Sequence, residues 1–182
     1  MKNIIIITSS IRQGRLSNRV APYIKNYLQN KQDIRCEILD LKEYNFPIFE
    51  ERLMFQKNPS PELLDYVEKF NKADGVIIVS SVYNQSFPAS LKNVIDVLNS
   101  EWKRKVVGLV SSTVAPSAGI STLFQLENIL SKLGAIISPT KHAVTSIDKV
   151  FAEDGSPIDK EKTYKSFSPM LNDFIWLVEK LK

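Results

Sequence analysis

The feature that most restricts this 182-residue chain is an aliphatic run near its start, residues 3–8, NIIIIT. Four consecutive isoleucines leave no polar alternation. A strand made of them must be covered on both faces, a condition met at the centre of a parallel sheet layered between helices. Two later runs repeat the pattern, residues 75–80 (GVIIVS) and 106–110 (VVGLV). Residues 35–41 and a short segment opening at Ile136 and Ile137 complete five expected strands.

Between the strands, apolar residues recur at three- and four-residue steps, the spacing of a helix with one buried stripe. Val20, Tyr23, Ile24 and Tyr27 mark the first helix, and Leu63, Leu64, Val67 and Phe70 the second, over residues 60–72. Ser60 and Pro61 supply its N-cap and first-turn proline. Leu91, Val94, Ile95 and Leu98 mark a third, and Leu123, Leu126, Leu130 and Leu133 a fourth that stops at Gly134. Phe167, Met170, Leu171, Phe174, Leu177 and Leu181 give the C-terminal helix its apolar face. Five strands alternating with five helices predict an α/β three-layer sandwich on a five-stranded parallel sheet with right-handed crossovers. Residues 1–182 are expected to form a single domain, since no repeat or linker divides them.

Charge and composition narrow the function. Twenty-four basic against 20 acidic residues leave a net charge of +4, dispersed along the chain, so no nucleic-acid partner is expected. The longest clean apolar run, Ile4 to Ile7, falls far short of the ~20 residues of a membrane span, and no secretory signal is visible. A cytoplasmic protein without a membrane partner is the expectation. One cysteine, Cys36, and one histidine, His142, make no metal cluster. They also leave no Ser-His-Asp or Cys-His catalytic constellation. Cys36 reads as a small buried side chain and His142 as a surface or loop-end residue.

In an open parallel sheet, ligands bind beyond the carboxyl ends of the strands, where strand order reverses. Three loops rich in Ser, Asn, Gly or Pro follow strands there, residues 9–18, 81–90 and 111–119. The first, within TSSIRQGRLSNR, offers hydroxyls, amides, a helix N-terminus and Arg12, which together suit a phosphate monoester. It has neither the triphosphate-loop pattern nor the dinucleotide glycine pattern. The same residues serve a plainer role equally well, with Ser17 and Asn18 as helix caps and Arg12 and Arg15 as solvated charges.

The second loop, within VSSVYNQSFPASLKNVID at residues 79–96, is more specific. Together with S-x-R-x-G-x-x-S-N at residues 10–18 and FPIFEE at 46–51, it resembles the NAD(P)H-dependent FMN reductases of the flavodoxin-like superfamily. That family includes quinone, chromate and azo reductases. Its second loop commonly reads T-P-E-Y-N-x-S-x-P-x-x-L-K-N-x-I-D. This chain matches at Tyr83, Asn84, Ser86, Pro88, Leu91, Lys92, Asn93, Ile95 and Asp96.

The resemblance implies a flavodoxin-like fold and a noncovalent FMN, reduced by NAD(P)H and reoxidised by a small-molecule electron acceptor such as a quinone in ping-pong fashion. No catalytic side chain is then required, because the flavin carries the chemistry. The implied cofactor-binding residues are Ser10, Arg12, Ser17 and Asn18 for the phosphate and Val82, Tyr83 and Asn84 for the ring. Ser81, Ser112 and Gly119 border them. Lys92, Asn93 and Asp96 read as scaffold that opens a helix and holds the preceding loop. Residues 44–59, with Tyr44, Phe46, Phe49 and Phe55, read as a wall over the flavin that contacts a second subunit. With Trp102 they suggest a homodimer or homotetramer.

The chain departs from the family at Ser81-Val82, where relatives carry Pro-Glu, and in the third loop, which keeps one glycine. Two other readings therefore stand beside the reductase: a flavodoxin-type electron carrier, disfavoured by the positive charge, and a flavin-less binding or regulatory domain.

Overall fold

The computed structural model describes residues 1–116 and 119–181. In chain order the elements are β1 (Lys2–Thr8), α1 (Val20–Gln29), β2 (Ile34–Asp40), α2 (Leu41–Tyr44), α3 (Pro61–Lys72), β3 (Gly75–Ser81) and α4 (Ala89–Val97). They continue with β4 (Val106–Ser112), α5 (Ile120–Lys132), β5 (Ile136–Ile137), β6 (His142–Val144), α6 (Ile147–Val150) and α7 (Lys160–Leu181). The sheet order is β2-β1-β3-β4-β5, with β6 also on β4, and every strand pairing is parallel. This is the flavodoxin-like order, whose switch point lies between β1 and β3.

The isoleucine run behaves as its composition requires. Ile4 to Ile7 are all buried, with successive side chains on opposite faces. Ile5 and Ile7 join Val76, Ile78, Val107 and Leu109 against α3, α4 and α5. Ile4 and Ile6 join Ile77, Val79, Val106 and Val110 against α1 and α7. Thr8 lies opposite Asp40 and Val79, and Ser81 opposite Ser112, so β1 to β4 end within two residues of one another and send their loops to one edge.

Several expectations are corrected. β2 ends at Asp40 rather than residue 41, because the Asp40 carboxylate accepts the Lys42 amide and Leu41 already starts α2. On α3, Leu64 is 51% exposed, and Tyr66, not singled out by the apolar spacing, is fully buried in its place. At the end of α7, Leu181 is exposed. The fifth strand is split into β5 and β6 by residues 138–141, where Pro139 cannot donate to a ladder. Trp102 is entirely buried, its ring edge-on to Phe70, and so offers nothing to a partner surface.

Candidate functional site

At the carboxyl ends of β1, β3 and β4 the three loops enclose a cleft of about 340 Å³. The first loop is tied to the sheet by Arg15. Its guanidinium donates to the Ser10 carbonyl and, with both terminal nitrogens, to the Asp40 carboxylate at the end of β2. Burial pushes the Asp40 carboxyl up, but the bonds from Arg15 and the Lys42 amide outweigh it and hold it below its ordinary value. Arg15 is therefore not a solvated charge. Arg12, three residues earlier, is exposed and lines the cleft.

Neither Ser17 nor Asn18 caps α1. They lie in a single 3₁₀ turn that leads into it, and no side-chain cap bond closes either helix start. The Ser17 hydroxyl is buried in the cleft wall without a hydrogen-bond partner among the described residues, whereas Asn18 is exposed and outside the cleft.

The second loop is fastened to the first at three points. The Ser81 amide donates to Ser9 Oγ (3.1 Å), Ser90 Oγ donates to the Ser9 carbonyl, and the Ser10 and Tyr83 hydroxyls lie 2.7 Å apart. The Val82 amide donates to the Ser112 carbonyl at the end of β4. Tyr83 and Ser86 exchange both main-chain bonds across a two-residue turn whose central residues, Asn84 and Gln85, adopt left-handed φ of 50° and 67°. The amides of Ser81, Val82 and Tyr83 are thus engaged within the protein, while those of Asn84 and Gln85 have no partner among the described residues. The Ser86 hydroxyl donates to Gln125 on α5.

In the third loop Gly119 has φ 107°, and a Cβ there would come within 2.4 Å of Ser111 Oγ, so only glycine lets α5 start this close to β4. Ser117 and Ala118 of this loop lie outside the described residues.

Of the expected site residues, Ser10, Arg12, Ser17, Ser81, Val82, Tyr83 and Ser112 line one cleft. Asn84 is at the exposed tip of the turn, and Gly119 is packed beneath the cleft against Ser111 and Val82. The lining is mixed: it combines Ser10, Ser17 and Arg12 with Val82, Tyr83, Val114 and Ile147, and no carboxylate lines it among the described residues. An orphaned buried hydroxyl in a wall shared with an arginine, just before a helix, fits a phosphate group, and the apolar and aromatic members of the lining fit a planar ring. Arg15 with Asp40 was missed by sequence reading, for want of any local signal joining residues 25 positions apart.

A second, more apolar cleft of about 450 Å³ lies between residues 45–49 and α4, lined by Ile11, Phe46, Ile48 and Phe49. Asn93 shapes it, its amide donating to the Pro47 carbonyl (2.6 Å) and its oxygen accepting the Phe49 amide. Asn93 therefore holds residues 47–49 rather than the loop before its own helix; Lys92 and Asp96 form an ion pair one helical turn apart. Tyr44 and Phe46 pack on buried Tyr66, whereas Ile48, Met54 and Phe55 are exposed.

His142, half-buried, opens β6 at the end of the loop 138–141, with its ring 4.2 Å from that of Phe167 and Nε2 3.4 Å from the Ser166 hydroxyl, and burial pushes its imidazole down to about 4. Cys36 is buried, and its thiol is pushed up to about 12, chiefly by loss of solvent. Among the described residues, no helix is long and apolar enough to cross a membrane and no cluster of His, Cys, Asp and Glu could hold a metal.

Comparison with known proteins agrees with this geometry. Residues 2–149 match the family described as NADPH-dependent FMN reductase. The FMN-dependent NADPH-azoreductase of Staphylococcus aureus is 33% identical over 162 residues, 86% of this chain and 83% of that protein. The NAD(P)H-dependent FMN reductase LOT6 of Saccharomyces cerevisiae is 29% identical over 119 residues, 58% of this chain, and the match spans 62% of its length. Among solved structures, FerB of Paracoccus denitrificans, a flavoenzyme NAD(P)H:(acceptor) oxidoreductase, shares the fold with a TM-score of 0.79 at 22% identity, covering 99% of this chain and 98% of that one.

Proposed function

The chain belongs to the NADPH-dependent FMN reductase family, and from that premise we propose that it is a single-domain enzyme passing two electrons from NAD(P)H through FMN to a small acceptor such as a quinone. The observation that carries this reading is the cleft at the strand ends, lined by Arg12 and by no carboxylate among the described residues, in whose wall the buried Ser17 hydroxyl lacks a partner. Ser10, Arg12 and Ser17 would hold the phosphate, while Asn18 lies outside the cleft. Val82, Tyr83 and Asn84 would bound the ring, while Ser81 and Ser112 support that loop from the sheet and Gly119 from the start of α5.

FMN, when bound, supplies the chemistry by accepting a hydride equivalent from the nicotinamide and passing its electrons on. The residues of this chain bind and orient. Tyr83 would cover the ring, and its hydroxyl, joined to Ser10, keeps the second loop and the first in register. At Ser81-Val82, where the family has Pro-Glu, the Val82 amide bonds the Ser112 carbonyl whatever its side chain, and the Ser81 amide adds a bond to Ser9 Oγ that a proline could not donate, so main-chain contacts hold this loop on the sheet. Were donor and acceptor to use this cleft in turn, the kinetics would be ping-pong.

An absorption spectrum of the purified protein before and after anaerobic NADPH tests the reading. A bound flavin that bleaches supports it; no flavin, or a flavin that NADPH leaves oxidised, overturns it. Arg12→Ala should weaken FMN binding by about 1.5–3 kcal/mol and leave riboflavin affinity nearly unchanged, since a charge-assisted bond to the phosphate is lost. Equal losses for the two ligands would remove Arg12 from the phosphate.

We also propose a homodimer or homotetramer, assembled through the exposed Ile48, Met54 and Phe55 of residues 44–59. Light scattering at micromolar concentration should give at least twice the 20.7 kDa of one chain. A monomer mass would discard the assembly.

A further inference from the structure

We propose that Ser121 and Gln125, on the first turns of α5, are positioning residues for flavin binding, holding the turn at Asn84 and Gln85 in its binding conformation. The inference rests on the FMN reading above. Two consecutive non-glycine residues with positive φ are unfavourable, and glutamine is less suited to this region than asparagine or glycine. The turn is nonetheless held there from outside. Ser121 Oγ donates to the Gln85 carbonyl (2.9 Å), the Gln125 amide donates to the same carbonyl (3.0 Å), and the Gln125 oxygen accepts from Ser86 Oγ (2.6 Å). Ser121 Oγ also lies 3.0 Å from the Gln85 side-chain oxygen. α5 therefore grips the turn through one carbonyl and one hydroxyl. The Asn84 and Gln85 amides, which have no partner among the described residues, are oriented by that grip, as is Tyr83 at the turn's base, which reaches Ser10. Neither Ser121 nor Gln125 lines the cleft, so both act through the turn.

The test compares wild type, the Ser121→Ala, Gln125→Ala double variant, and that variant carrying Gln85→Gly. None of the three side chains is in the core, so folding is expected to persist and is checked by thermal unfolding. In the apoprotein, hydrogen exchange at the Ser86 amide should speed up by about tenfold in the double variant, and Gln85→Gly should restore protection, because glycine adopts positive φ without support. FMN affinity should fall about tenfold in the double variant and recover with Gln85→Gly. Unchanged exchange and affinity in the double variant would overturn the proposal, and so would a loss that glycine does not rescue. Wild type failing to bind FMN would instead sink the reductase reading, while the exchange measurements would still report whether α5 holds the turn.

Discussion

Phe174→Ala should destabilise the protein by about 3–5 kcal/mol, the range for removing a buried phenylalanine with incomplete collapse around the cavity. Phe174 is fully buried at the middle of α7, where its ring lies over the two central strands β3 and β4. The strands accommodate it by having no side chain there: a Cβ on Gly75 would lie 2.7 Å from Phe174 Cζ, and one on Gly108 3.1 Å from Cδ2. Both glycines have ordinary backbone angles, so their role is room rather than conformation. Gly108→Ala alone should then cost about 1–2 kcal/mol through overpacking, yet less than about 0.5 kcal/mol in the Phe174→Ala background, where the methyl enters the vacated space. Urea unfolding of the four proteins measures the coupling. Additive costs would show that the ring and the glycine do not share that space.

Acidification should remove about 2 kcal/mol of stability between pH 7 and pH 5 through His142 alone. Burial against Phe167 pushes this imidazole from 6.5 down to about 4, so between those values the unfolded chain binds a proton that the folded protein does not. Stability from this group is complete above the unfolded value, falls as pH drops through the window, and is constant below about 4. Asp40 acts in a separate, lower range. Its carboxyl is held below 3.8, so the stability it contributes disappears only as pH falls further. In urea titrations at pH 7 and pH 5, His142→Gln should lose less stability than wild type by about that 2 kcal/mol. Parallel losses would mean that His142 does not stay neutral in the folded state.

The cleft was legible in part because its contributors sit where local pattern places them. Ser10, Arg12 and Ser17 follow the isoleucine strand, and Val82 and Tyr83 follow GVIIVS, so a parallel sheet brings both loops to one edge whatever else the chain does. Arg12 and Arg15 could not be told apart on the same grounds. They stand three residues apart in one polar loop, and what separates them is Asp40, level with Thr8 only because β2 pairs with β1 in that register. Likewise Leu64 and Tyr66 both lie near the apolar stripe of α3, and the edge-on packing of Tyr44 and Phe46 against Tyr66 decides which is buried.

By itself the sequence determined the layered α/β architecture, the strands buried on both faces, the edge that carries the loops and the motifs by which the family is recognised. All of these depend on residues within one element or its adjoining loop, where periodicity and turn chemistry act over a few positions. The tertiary structure decided the rest: the Arg15 to Asp40 pair, the neutral His142 against Phe167, the buried Trp102 and the grip of Ser121 and Gln125 on Gln85. Each joins residues distant in the chain, and their energies depend on strand order, register and exclusion of water, which exist only once the sheet has closed on its helices.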